Sequence, residues 1–124
     1  MTTWTPDDLE RIGAAYELEI ASRRPDGSLG RYVTIWVVRI GDDIYVRSAF
    51  GPDAGWFARA VRSGTGRIRA GGVERDVDFE RTVSVDDEAV DAEYHRKYDH
   101  YGHRLVDPVV GPEPASLTLR LLPR

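Results

Sequence analysis

The chain has 124 residues, 41% hydrophobic and 31% charged, with no cysteine. That is the profile of one globular domain, 1–124, able to bury its own core. It excludes a disulfide framework, a thiolate nucleophile and a cysteine-held metal. Seventeen Lys plus Arg against 21 Asp plus Glu leave a formal charge of −4, which argues against general nucleic-acid binding. Lys97 is the only lysine, so nearly every cation is arginine. The planar guanidinium fork suits carboxylate and phosphate, although a GC-rich genome would enrich arginine just as well. The N-terminal residues lack a basic segment followed by an apolar one, and no apolar run reaches the length of a membrane span. The expected location is the cytoplasm, with no membrane partner.

Thr-Pro-Asp-Asp at 5–8 opens a helix: a hydroxyl cap, proline in the first turn, and acids at the positive end of the dipole. Leu9 and Ile12 face the core, and Gly13 is the expected stop. Tyr16, Leu18 and Ile20 alternate with Glu17 and Glu19 as a first strand. Arg-Pro-Asp-Gly at 24–27 is a turn. Residues 32–40 are apolar at nearly every position, which predicts one central strand covered on both faces. Gly-Asp-Asp at 41–43 is a hairpin connection into a strand at 44–49.

Phe-Gly-Pro-Asp at 50–53 is a turn, after which Trp56, Phe57, Ala60 and Val61 follow helical spacing with Arg59 and Arg62 beside them. Ser-Gly-Thr-Gly at 63–66 ends that helix. Strands at 65–70 and 73–82 form a hairpin around Gly71 and Gly72. Asp86 begins a helix over 86–101, and Leu117, Leu119 and Leu121 mark a closing strand. About six strands in hairpin succession with few helices predict a mainly β (α+β) fold, a small closed or half-open antiparallel barrel rather than a doubly wound sheet.

Two groups of residues could carry chemistry. Arg31, Thr34, Arg47, Ser48, Arg59, Arg67 and Arg69 are phosphate-directed donors on neighbouring predicted elements. With the turn and helix start at 50–56 they make a plausible anion pocket. The competing expectation is that the strand arginines pair with Glu17, Glu19, Asp76 and Asp78 across the sheet. Trp36, Tyr45, Trp56 and Phe57 could stack on a planar ring, though aromatics of this size more often fill a core. Tyr94, Tyr98 and Tyr101 lie on one helical stripe. Tyr98 or Tyr101 would be the proton donor of a catalytic reading; packing on the sheet is the structural one. His95, Asp99 and His103 are four apart, but Gly102 is expected to end the helix first, so no metal site is predicted.

The run at 34–57, with Gly-Arg-Ile-Arg-Ala-Gly-Gly at 66–72 and Tyr-His-Arg-Lys-Tyr at 94–98, resembles a bacterial family catalogued as domain of unknown function 2255. More distantly the chain is similar to the deazaflavin-dependent nitroreductases and the FMN-binding split barrels of the pyridoxamine phosphate oxidase type. Gly27, Thr34, Gly41-Asp42, Ser48, Gly51 and Trp56 fall in that group's order. The resemblance implies a six-stranded split β-barrel, a homodimer, and an FMN or deazaflavin contacted by Ser48, Phe50, Gly51 and Trp56. Ala49 stands where the nitroreductases carry lysine, and Arg59-Ala60 replace an Asn-Leu pair, departures that imply cofactor binding either altered or lost. The expected function is flavin- or deazaflavin-dependent oxidoreduction of a small organic molecule. A non-catalytic small-molecule or anion carrier, and a cofactor-free acid–base enzyme, are the alternatives.

Overall fold

The computed structural model describes residues 3–49, 51–81 and 86–124. The first helix, α1 (Pro6–Ala14), is capped as its sequence predicts: the backbone N–H of Asp8 donates to Thr5 Oγ1 at 3.1 Å. Leu9 and Ile12 are buried on one side, and the helix ends one residue past Gly13. Strand β1 (Leu18–Ser22) starts later than the alternation suggests, because Tyr16 is exposed and its carbonyl accepts a bond from the Tyr98 hydroxyl.

Residues 32–40 do not make one central strand. They divide into β2 (Val33–Ile35), which pairs with β1, and β3 (Val38–Ile40), which pairs with β4 (Asp43–Arg47). The interruption has a chemical cause. The Val37 N–H donates to Tyr98 Oη at 3.1 Å, and its carbonyl accepts from Lys97 Nζ at 2.8 Å, so neither group serves a ladder. Side-chain alternation nonetheless continues through the break. Val33, Ile35 and Val37 pack with the interior, while Trp36, Val38 and Ile40 pack on the outer side.

Helix α2 (Gly55–Ser63), the hairpin of β5 (Thr65–Ala70) and β6 (Val73–Arg81), helix α3 (Asp87–Tyr98) and the final strand β7 (Thr118–Pro123) complete the regular elements. Every pairing is antiparallel and the sheet order is β2-β1-β5-β6-β7-β4-β3. The two ends of this order are joined by Trp36 and Val37, so the sheet curls round on itself as a split barrel. The six expected strands become seven because 32–40 is divided.

Alternation assigns each strand residue to one of two cores. Inside the barrel lie Ile20, Ile44, Val46, Ile68, Val77, Leu119 and Leu121, with Ile12 of α1 and Phe57 of α2. Outside the β3–β4 pair, Val38 and Tyr45 pack beneath Val90, Tyr94 and Tyr98 of α3. Each such aliphatic or Phe side chain contributes about 1.5–3 kcal/mol on burial, so all three helices are held mainly by their apolar faces. Helix α2 packs on β1, β5 and β6, and ends at Gly64, whose φ of 74° only glycine adopts without strain. Gly66 is needed for another reason: a Cβ there would lie 2.0 Å from the Ala21 carbonyl oxygen.

Helix α3 begins on its Asp86 cap, as expected, but stops at Tyr98; a 3₁₀ turn covers 99–101. The connection to β7 consists of short helical turns separated at Gly102 and Gly111, both at positive φ. Among the described residues no helix is long and apolar enough to cross a membrane.

Candidate functional site

A hollow of about 1020 Å³ lies between the connection that follows β1, the start of β2, the C-terminal half of α2 and the start of β5. Five arginines line it: Arg23, Arg24, Arg31, Arg59 and Arg62; no Asp, Glu or His is among its described lining residues. For a protein of charge −4 this is a local reversal of sign. Two of the five are engaged in building the wall. Arg23 bonds the Gly27 carbonyl and Asp76, and Arg24 donates to Ser28 Oγ and the Leu29 carbonyl. Arg31, Arg59 and Arg62 are exposed and make no salt bridge among the described residues. Because Arg62 and Ser63 belong to the last turn of α2, the helix dipole there opposes an anion. The guanidiniums, not the helix end, supply the positive potential.

Three of the sequence-predicted donors, Arg31, Thr34 and Arg59, meet in this hollow. The others do not. Arg47 is buried beneath α3, where it pairs with Asp91, donates to Thr118 Oγ1 at 2.9 Å and bonds the Val109 carbonyl. Its bonds tie α3, the turn at Val109 and the start of β7 to β4. Arg67 is on the outer face of β5, bonded to Asp76 at 2.9 Å and 3.5 Å from Glu74. That bond holds the Asp76 carboxyl below its ordinary range. Arg69 likewise faces Glu19. The cross-strand pairing expected as the alternative therefore describes both β5 arginines.

Ser48 and Gly51 line a different, smaller hollow of about 350 Å³, together with Asp107, Glu113 and three prolines. The Ser48 hydroxyl donates to the Gly51 carbonyl at 2.6 Å, and two carboxylates beside it are a poor setting for a phosphate. Phe50 lies outside the described residues. Trp56 is a core residue, 8% exposed and edge-on to Phe57. The single convergence anticipated for the strand arginines, Ser48 and the tryptophan helix is thus not what the fold produces.

The tyrosine stripe packs on the outer side of the barrel. Tyr98 is fully buried, stacked on Trp36 with centroids 4.0 Å apart. Its hydroxyl bridges the backbone of Val37 and Tyr16, and burial pushes its pKa above the ordinary tyrosine range. Lys97 lies beside it over the Tyr98 ring, and burial lowers its pKa to about 8. Tyr101 is 46% exposed and borders Tyr16, Trp36 and His100. His95 bonds Asp99 at 2.8 Å on the surface, and no cluster of three potential metal ligands occurs among the described residues.

Arg23, Arg24, Tyr32 and Arg62 carry no motif that singles them out for the hollow. The only hint in the sequence is that Arg62 follows Arg59 by one helical turn.

A family model matches residues 8–121, nearly the whole barrel. The chain belongs to the family described as "Uncharacterized protein conserved in bacteria (DUF2255)". No curated protein matches it in sequence. In three dimensions it is similar to a candidate pyridoxamine 5'-phosphate oxidase from Listeria innocua. The TM-score is 0.60 at 14% identity, covering 94% of this chain and 90% of that one. It is also similar to HutZ, the heme storage protein of Vibrio cholerae, with TM-score 0.62, 13% identity, and 99% and 92% covered. A third likeness is to a FAD-binding protein of Mesorhizobium loti, with TM-score 0.55, 13% identity, and 99% and 92% covered. The DUF2255 chain therefore shares the split-barrel fold of pyridoxamine phosphate oxidase-type proteins. Shared fold at this identity does not transfer activity.

Proposed function

We propose that the chain binds a flavin or deazaflavin in the arginine-lined hollow and acts as an oxidoreductase on a small organic molecule. The observation that carries this is the hollow itself: five arginines with no acidic group among its described lining residues. Three guanidiniums free of carboxylates fit the oxygens of a phosphate, which accept charge-assisted, often paired, hydrogen bonds from such donors. Arg31, Arg59 and Arg62 would hold the phosphate, with the Thr34 hydroxyl at the rim. The outer face of the 32–36 segment runs from Tyr32 through Thr34 to Trp36. A ring bound beside Thr34 would lie about 7 Å from Trp36 along the strand. When bound, the cofactor supplies the hydride chemistry; the protein orients it and excludes water.

Tyr98 is poorly suited to proton donation, since its hydroxyl is held by Val37 and Tyr16 and its pKa is raised. Of the two tyrosines, Tyr101 is the one whose ring meets solvent. One feature favours a second reading, a carrier without turnover. The described lining holds no carboxylic acid, imidazole or thiol able to exchange a proton near neutral pH. By analogy with other split barrels we also propose a homodimer, which light scattering would check.

Fluorescence titration of the purified protein with FMN and a deazaflavin tests the binding, with riboflavin as the phosphate-free control. FMN should bind more tightly than riboflavin. The double variant R59A/R62A should weaken FMN by roughly 100-fold, since hydrogen bonds to charged groups are each worth about 1.5–3 kcal/mol. If neither flavin nor deazaflavin is retained, the proposal fails.

A further inference from the structure

Tyr32 is one of the residues lining the hollow, and a residue that does not line it covers its ring. The Arg69 guanidinium carbon lies 3.6 Å from the Tyr32 ring centroid, which is face-on contact. Arg69 does not line the hollow. It is steered from behind by Glu19, 3.8 Å away across the β1–β5 pair. Its Nε is buried with no hydrogen-bond acceptor, as expected for a guanidinium lying flat on a ring rather than end-on to an oxygen. The ring is therefore held in place before any ligand arrives, and little side-chain entropy remains to be lost on binding.

We infer that Tyr32, backed by Arg69, is the stacking surface for a planar ring whose phosphate is held by Arg31, Arg59 and Arg62. The ligand class is a phosphate ester of a planar ring system. This rests on the proposal that the hollow is a phosphate site, and it adds a ring-recognition residue to it. Tyr32 would contact the ligand; Arg69 is a positioning residue that acts through Tyr32.

Binding of three probes by wild type, Y32F, Y32L and R69A tests the inference by calorimetry. FMN and AMP carry rings, and ribose 5-phosphate does not. Wild type should prefer FMN or AMP over ribose 5-phosphate. Y32L should lose about 10-fold for the ringed probes, in line with aromatic stacking energies, and leave ribose 5-phosphate unchanged. Y32F keeps the ring and should retain the wild-type preference, which separates stacking from a folding defect. R69A should reduce the preference by a smaller factor without moving ribose 5-phosphate.

The inference is overturned if wild type shows no preference for ringed probes, if Y32L binds them as wild type does, or if nothing binds. Tyr32-dependent binding of AMP with no binding of FMN would support it while removing the flavin proposal. Tyr32-independent binding of FMN would do the reverse.

Discussion

Arg67 of β5 and Arg59 of α2 carry the same guanidinium and stand in opposite settings. Arg67 projects from a strand whose partner, β6, places Glu74 and Asp76 alongside it. Residues paired across antiparallel strands share a face, and here Arg67, Arg69 and Arg120 each meet a carboxylate of a neighbouring strand. Arg59 and Arg62 project from the end of a helix whose other side is buried in the barrel, next to a connection that carries more arginines and no acid among the lining residues. Charge that is cancelled on the sheet is left uncancelled at the hollow. Arginine count therefore says little about an anion site; which arginines lack a carboxylate says much more.

The largest test of that contrast removes a paired arginine. Arg47→Ala would strand Asp91, Thr118 and the Val109 carbonyl beneath α3, and should cost about 3 kcal/mol in urea unfolding. The R59A/R62A protein should unfold within about 0.5 kcal/mol of wild type, since exposed side chains without partners contribute little. Equal losses from both variants would erase the distinction.

Lys97 offers a pH test of the paired, buried side. Its folded pKa of about 8 is below the ordinary value of 10.5, so between those values the unfolded chain binds more protons than the folded one. Stability should rise as pH climbs from 8 toward 10, by roughly 1–2 kcal/mol. Above 10 it should fall again, because Tyr94 and Tyr98 stay protonated when folded but ionise when unfolded. In Lys97→Met the rise should vanish while the fall remains, read from denaturation midpoints across pH.

The smallest effect is expected from Arg67→Gln. FMN affinity should change by less than about twofold, since this side chain lies outside the hollow; a larger loss would place Arg67 in the site.

Much of the fold was legible because its signals are local. The Thr5 and Asp86 caps, the Gly71–Gly72 turn, the α2 stop at Gly64 and the alternation in β4, β5 and β6 each depend on residues close in the chain. The break at Trp36–Val37 was not legible. Every residue there favours a strand, and what interrupts it is a pair of hydrogen bonds, the Val37 N–H donating to Tyr98 and its carbonyl accepting from Lys97, about sixty residues later.

The site divides in the same way. Composition determined that arginines would be the cations available, strand alternation that Arg67 and Arg69 would share a face, and the local β5–β6 hairpin that Glu74 and Asp76 would stand beside them. Only the curled sheet decided that Arg59 and Arg62 would stand opposite Arg31, and that Arg47 would be sealed under α3. A guanidinium looks the same in sequence wherever it lies. Whether a carboxylate is within 4 Å of it depends on which strands are neighbours, and barrel closure sets that through contacts distant in the chain.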